Sequence, residues 1–161
     1  MKIKFFAVGG TIDKVYFDAL SKYEIGESNI KDILKDARVN FQSDISSILK
    51  KDSLDMTDQD RLDIHKTVKN EKNDKIIITH GTDTMIETAK VLEDIKEKTI
   101  VLTGAMEPAK FKSSDAVFNL GSAVAAVQSL SHGVYIVISG RVFKPGNVKK
   151  DRGLKMFGKK M

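Results

Sequence analysis

Ile76-Ile77-Ile78-Thr79-His80-Gly81-Thr82-Asp83-Thr84-Met85 is the stretch on which the reading of this chain turns. A run of β-branched apolar residues ends at a glycine. Two hydroxyls and a carboxylate follow at once, and a helical pattern begins at Met85. This predicts a buried strand that delivers reactive side chains to a strand-to-helix turn. Open α/β sheets place their ligands at such turns, beyond the carboxyl ends of parallel strands. A second segment repeats the form, with Ile3-Lys4-Phe5-Phe6-Ala7-Val8 running into Gly9-Gly10-Thr11-Ile12-Asp13. Two threonines therefore lie just past two expected strand ends.

Outward from these segments, strand-like runs recur at 3–8, 39–43, 76–80, 99–103 and 134–139. Helical patterns fall between most of them, at 28–37, 58–71, 85–97 and 114–130. Thr57 with Asp60, and Thr84 with Glu87, have the spacing of capping boxes. Thr84 is accordingly read as a helix cap rather than a reactive group. Such alternation, with strands this apolar, predicts an α/β fold: an open, mostly parallel sheet with helices on both faces, three layers in a Rossmann-like arrangement. Residues 9–27 form the longest irregular segment beside the expected site. They carry Tyr16, Phe17 and Tyr23, and a loop of that length in a compact domain suits a lid.

At 161 residues the chain is expected to form one domain with a sizeable core. It has no cysteine, which excludes disulfides and thiolate chemistry. No run approaches the ~18 apolar residues of a membrane span. Met1–Val8 has the flavour of a signal peptide but too short an apolar run, so it reads as a first strand and the cytoplasm as the default compartment. The net charge of +5 is uneven. From Lys144 onward, seven basic residues against one acidic leave +6, and the rest of the chain carries −1. Without an aromatic ladder among these charges, nucleic acid is not the expected partner, and residues 151–161 are expected to be a basic, solvated and mobile tail.

A threonine hydroxyl is inert at neutral pH unless a base takes its proton or a cation favours the alkoxide. Taken alone, Thr11 and Thr82 each read as the turn or cap residue that threonine usually is. Two glycine-threonine turns, each with an acid within two residues of the threonine, after two strands point instead to a shared site. Gly9-Gly10 is no dinucleotide fingerprint and no phosphate-binding loop motif occurs, so no cofactor is expected. His65, His80 and His132 lack metal-ligand spacing, so no metal is expected, and His80 reads as a buried structural histidine.

Gly9-Gly10-Thr11-Ile12, taken with Thr79-His80-Gly81-Thr82-Asp83-Thr84-Met85, resembles the paired signatures of the bacterial-type L-asparaginase family. The resemblance continues through Val101-Leu102-Thr103-Gly104-Ala105-Met106-Glu107-Pro108 and through Ser114-Asp115-Ala116 and Phe118-Asn119-Leu120. It implies an amidohydrolase that releases ammonia from the side-chain amide of L-asparagine or a related small amide, through a threonine nucleophile. By position, Thr11 matches the first catalytic threonine. Tyr23 resembles the mobile-loop tyrosine that supports it. Thr82 and Asp83 match the second threonine and its acid. Lys150 resembles the catalytic lysine, with Lys149 one position away as the other choice. Ser53 resembles the serine that binds the substrate's α-carboxylate. Asp83, Gly10 and Gly81 complete the expected substrate contacts. Two positions depart from the family's pattern: Leu54 stands where many members have a polar residue, and Glu107 where they typically have arginine. The resemblance also implies that the chain matches only the family's N-terminal domain and stops where a smaller second domain would begin. An exposed face would then favour a homodimer. That truncation motivates a rival reading, an amino-acid-binding module that keeps the pocket without efficient turnover.

Overall fold

The computed structural model describes all residues, 1–161. In chain order its strands and helices are β1 (Lys2–Gly9), β2 (Lys14–Phe17), β3 (Lys22–Ile25), α1 (Ile30–Asp36), β4 (Gln42–Lys51), α2 (Asp58–Asn70), β5 (Lys75–Thr79), α3 (Met85–Val91), β6 (Thr99–Thr103), α4 (Ala116–Ser129), β7 (Gly133–Ile138), β8 (Arg141–Phe143), β9 (Val148–Asp151) and β10 (Met156–Lys159). Six strands make the central sheet in the order β4-β1-β5-β6-β7-β8, parallel except for β8. The expected α/β architecture is therefore what forms.

The sheet is buried on both faces, and its strands show why they read as unbroken apolar runs. Phe6, Val8, Ile76, Ile78, Ile100 and Leu102 point to one core, shared with Ile64 and Val68 of α2 and with Met85 and Ala89 of α3. The alternate residues Ile3, Phe5, Ala7, Ile77 and Val101 point to the other, shared with Ile30 and Ile33 of α1 and with Leu120 and Val127 of α4. Period-two alternation thus divides apolar residues between two cores instead of between core and water.

The strand order has a direct consequence for function. The chain leaves β1 toward β4 on one side and, after recrossing, leaves β5 toward β6 on the other. The connections diverge between β1 and β5, so the crevice opens beyond the ends of these two strands. They are the strands that Thr11 and Thr82 follow. A second feature is the hand of the connections. The steps β4 to β5, β5 to β6 and β6 to β7 all advance in one direction, yet α2 and α3 lie on one face and α4 on the other. The β6-α4-β7 crossover therefore has the opposite hand to its neighbours and is the left-handed one, against a strong general preference. Its connection, residues 104–115, crosses the carboxyl edge of the sheet, where Ala109 N–H binds Ile12 O at 3.0 Å. Buried Asn119 on α4 fastens this arrangement: its Nδ2 donates to Gly104 O at 2.9 Å, and its Oδ1 accepts from Ser139 N–H at 2.9 Å.

Several expectations are corrected. The strand expected at 39–43 is β4, which starts at Gln42 and runs to Lys51. As an edge strand, paired only to β1, it is half-buried and carries serines, an aspartate and lysines, so it lacks the apolar signature. The irregular segment 9–27 contains the β2–β3 hairpin, in which Tyr16 pairs with Tyr23. The helix expected over 85–97 ends at Val91. Residues 151–161 are not a free tail: β10 pairs antiparallel with β9 and buries Phe157 opposite Lys150. Only the capping box at Thr57 and Asp60 forms as read.

Candidate active site

Glycines bring the expected site residues together. Gly9 and Gly10 have φ of 102° and 90°, where a Cβ is strained. A Cβ on Gly9 would stand 2.5 Å from Lys51 O, one on Gly10 2.4 Å from Gly81 Cα, and one on Gly81 2.6 Å from Ser53 Oγ. The turns that follow β1, β4 and β5 are thus stacked backbone to backbone. Thr11, Ser53 and Thr82 lie in these three turns.

Lys150 completes the cluster from far along the chain. Its Nζ is 2.7 Å from Thr82 Oγ1 and 2.7 Å from Asp83 Oδ1. The lysine side chain is 10% exposed and the Asp83 side chain 30%, so the pair is shielded but reachable. The β9–β10 hairpin, anchored by buried Val148 and Phe157, aims it there. This geometry picks Lys150 over Lys149, which is exposed on the same strand. As an ammonium, Lys150 favours an alkoxide on Thr82. As a free amine, it can take the hydroxyl proton.

His80 sits behind this turn, fully buried, as expected for a structural residue. Its Nδ1 donates to Gly81 O at 2.8 Å, which leaves Nε2 to accept from Thr88 Oγ1 at 2.8 Å. Burial pushes its pKa down to about 4, so it is neutral at physiological pH. With the Gly81 carbonyl held toward His80, the planar trans peptide directs the Thr82 N–H the other way.

Ser53 is buried, and its Oγ has no hydrogen-bond partner within the protein. A buried hydroxyl left unpaired costs stability and is rare; the Thr79 and Thr103 hydroxyls of β5 and β6 share this state. Its turn is tied down on two sides. Asp52 pairs with Lys14 at 3.0 Å. Burial raises the Asp52 pKa, but the Leu54 N–H and the lysine outweigh it and hold the carboxyl below its usual range. On the other side, Thr84 Oγ1 donates to Ser53 O at 2.7 Å. Thr84 holds the N-cap position of α3, but the expected capping box does not form: its side chain makes no cap hydrogen bond and clamps the serine turn instead.

No hydrogen bond joins Tyr23 to Thr11. The half-exposed Tyr23 ring packs edge-on against Tyr16 at 5.5 Å and Phe111 at 5.9 Å between centroids. Leu54 is exposed beside Ser53, and Glu107 is exposed and accepts from Ser113 Oγ at 2.7 Å. No cluster of metal-ligating side chains occurs in the structure.

The family described as "Asparaginase, N-terminal" matches residues 2–157. The chain belongs to the asparaginase family. The "Probable L-asparaginase periplasmic" of Haemophilus influenzae is 35% identical over 92% of this chain and 46% of its own length. "L-asparaginase 2" of Escherichia coli is 34% identical over the same shares. Among solved structures, the thermostable L-asparaginase of Thermococcus kodakarensis superposes with a TM-score of 0.84 at 28% identity, over 99% of this chain and 51% of that one. The "Probable Cytoplasmic L-asparaginase" of Campylobacter jejuni gives 0.82 at 30% identity, over 98% and 51%. The chain thus spans about half the length of the relatives it matches.

Two residues near this asparaginase-type site were not singled out from sequence. Arg152 Nε lies 3.5 Å from Asp83 Oδ1, the oxygen that Lys150 also holds. Nothing local foretells this, because the β9–β10 turn delivers it. Asp13 is buried two residues past Thr11, and its signal was in plain view as the acid of the Gly-Gly-Thr-Ile-Asp turn.

Proposed function

We propose that this chain carries the catalytic half of an asparaginase-type amidohydrolase acting on L-asparagine or a related small side-chain amide. The observation that supports this reading best is Lys150 Nζ shared between Thr82 and Asp83 at the switch-point crevice, alongside the Thr11 turn. Thr11 supplies the attacking oxygen, the role its position in the family implies. Its hydroxyl oxygen adds to the amide carbon and its proton leaves through the Thr82–Lys150 relay. The relay returns that proton to the amide nitrogen, which leaves as ammonia as the C–N bond breaks, and an ester remains on threonine. Water then adds to that ester by the same relay, releasing the carboxylic acid and restoring the hydroxyl. Ser53 Oγ and the backbone at Gly10 and Gly81 receive the substrate's α-carboxylate, and Asp83 its α-ammonium through a charge-assisted hydrogen bond. Tyr23 acts when its hairpin folds inward over Thr11. The proton transfers need no metal or cofactor in this scheme.

A homodimer in the cytoplasm completes the proposal. The compartment follows the description of the Campylobacter jejuni neighbour.

The test is ammonia release from L-asparagine and a panel of small amides by the purified chain. Turnover that disappears in Thr11→Ala and in Thr82→Ala supports the reading. Calorimetric binding of L-aspartate with no turnover of any amide would overturn it in favour of a binding module.

A further inference from the structure

The β2–β3 hairpin that carries Tyr23 leaves the site loop at Lys14 and returns at Ile25. Both of its ends are fastened to one residue. Asp13 O accepts from Gly26 N–H at 2.8 Å. Asp13 Oδ1 accepts from Asn29 N–H at 2.9 Å and from Asn29 Nδ2 at 3.4 Å. Asn29 Nδ2 also reaches Ile12 O at 3.4 Å. Asp13 N–H in turn binds Gly10 O at 3.2 Å, so the same residue is built into the Thr11 turn. Both Asp13 and Asn29 are buried, at 2% and 6% exposure. The hairpin beyond them is exposed along most of its length.

We propose that Asp13 is a positioning residue, the latch that ties both ends of the Tyr23 hairpin to the Thr11 turn, and that the hairpin moves by breaking the contacts between Asp13 and Asn29. The latch places the hinge of the hairpin at the residue that also sets the position of Thr11, so movement of Tyr23 and geometry at Thr11 are linked. This deepens the amidohydrolase reading above, but its test does not depend on turnover.

The latch is sensitive to acid because no cation answers the buried carboxylate. The charged groups on the surrounding elements are engaged elsewhere or carry the same sign. Lys14 pairs with Asp52, and Lys50 pairs with Glu27. Glu27 lies close enough to repel Asp13. Lys110, on the segment whose Ala109 binds Ile12 O, makes no ion pair with Asp13. Burial first, and Glu27 with it, raise the Asp13 pKa to about 6 against the pull of the Asn29 bonds. When the latch opens, the carboxyl meets water and returns toward its ordinary value near 3.8. The closed state therefore binds a proton that the open state gives up. Acid tightens the latch, and opening becomes easier as pH rises from about 4 to about 6.

Hydrogen exchange of the full chain tests this, followed at the Gly26 and Asn29 amides and across Lys14–Ile25, and corrected for intrinsic base catalysis. The wild type is expected to show an opening equilibrium that rises by up to ~100-fold between pH 4 and pH 7. Asp13→Asn keeps an acceptor for Asn29 and should flatten that dependence. Asp13→Ala should raise hairpin exchange at every pH while the amides of β5 and β6 stay protected. Unchanged hairpin protection in Asp13→Ala would overturn the proposal. So would wild-type pH dependence in Asp13→Asn, which also covers the case in which the alanine variant fails to fold. Ammonia release, measured separately, bears only on the amidohydrolase reading.

Discussion

Gly10 and Gly81 meet with no room between them, since a Cβ on Gly10 would stand 2.4 Å from both the Cα and the N of Gly81. This contact brings the Thr11 turn against the Thr82 turn. A methyl group at Gly10 meets both strain at φ 90° and a backbone that cannot yield. Gly10→Ala should therefore destabilise the fold by on the order of 2–4 kcal/mol, and so should Gly81→Ala, which forces Ser53 away. Thermal melting checks the stability. In whatever fraction stays folded, ammonia release should fall by at least ~100-fold, because ångström-scale misplacement is enough. Wild-type activity in either variant would show that the two turns need not touch.

Ser53 should separate stability from function. Its buried hydroxyl has no partner, so removing it discards an unmet desolvation cost. Ser53→Ala is expected to melt at the wild-type temperature or slightly above, while KM rises and kcat changes little. A clear loss of stability would mean that the hydroxyl has a structural partner in solution.

Lys150 and Arg152 share Asp83 Oδ1 at 2.7 Å and 3.5 Å, yet they should behave oppositely. Lys150→Met removes the group that moves the Thr82 proton and leaves the partly buried Asp83 with only the exposed arginine. Turnover should drop by roughly 100- to 10,000-fold, the usual range for a lost acid–base group. Arg152 competes for the oxygen proposed to receive the substrate ammonium. Arg152→Ala should lower KM for L-asparagine a few-fold with kcat unchanged, as steady-state kinetics would reveal. A rise in KM would assign Arg152 to substrate binding instead.

What was legible in sequence follows the physics of burial. β1, β5, β6 and β7 are covered on both faces, so their apolar runs stood out, and the threonines at the ends of β1 and β5 followed from them. The edge strand β4 and the charged β9–β10 hairpin hold together by backbone pairing and a few anchors such as Phe157, which periodicity does not register. Lys150 was placed by family resemblance, not by its local pattern, because the bond to Thr82 spans 68 positions. The capping box expected at Thr84 was misread for the same reason, although the residue does hold the N-cap position. Its spacing to Glu87 suits a capping box, but its hydroxyl is taken by Ser53 O, which comes from a turn 31 residues away.

Stability against pH should reveal two buried groups that work against each other. His80 has its folded pKa pushed down from 6.5 to about 4 by burial, so the unfolded chain binds the extra proton. Its contribution is fully present above pH 6.5 and is lost as pH falls toward 4, about 3 kcal/mol over that window. Asp13 has its folded pKa raised from 3.8 to about 6, so the folded chain binds the extra proton. Its contribution is present below pH 3.8 and is lost as pH rises through 6, also about 3 kcal/mol. Between pH 4 and 6 the two slopes largely cancel, and denaturant midpoints of the wild type should change little on their account. His80→Gln should expose the Asp13 slope, making the protein more stable at pH 4 than at pH 6.5 relative to wild type. Asp13→Asn should expose the His80 slope and do the reverse. Parallel profiles for all three proteins would show that neither group is buried in solution as it is here.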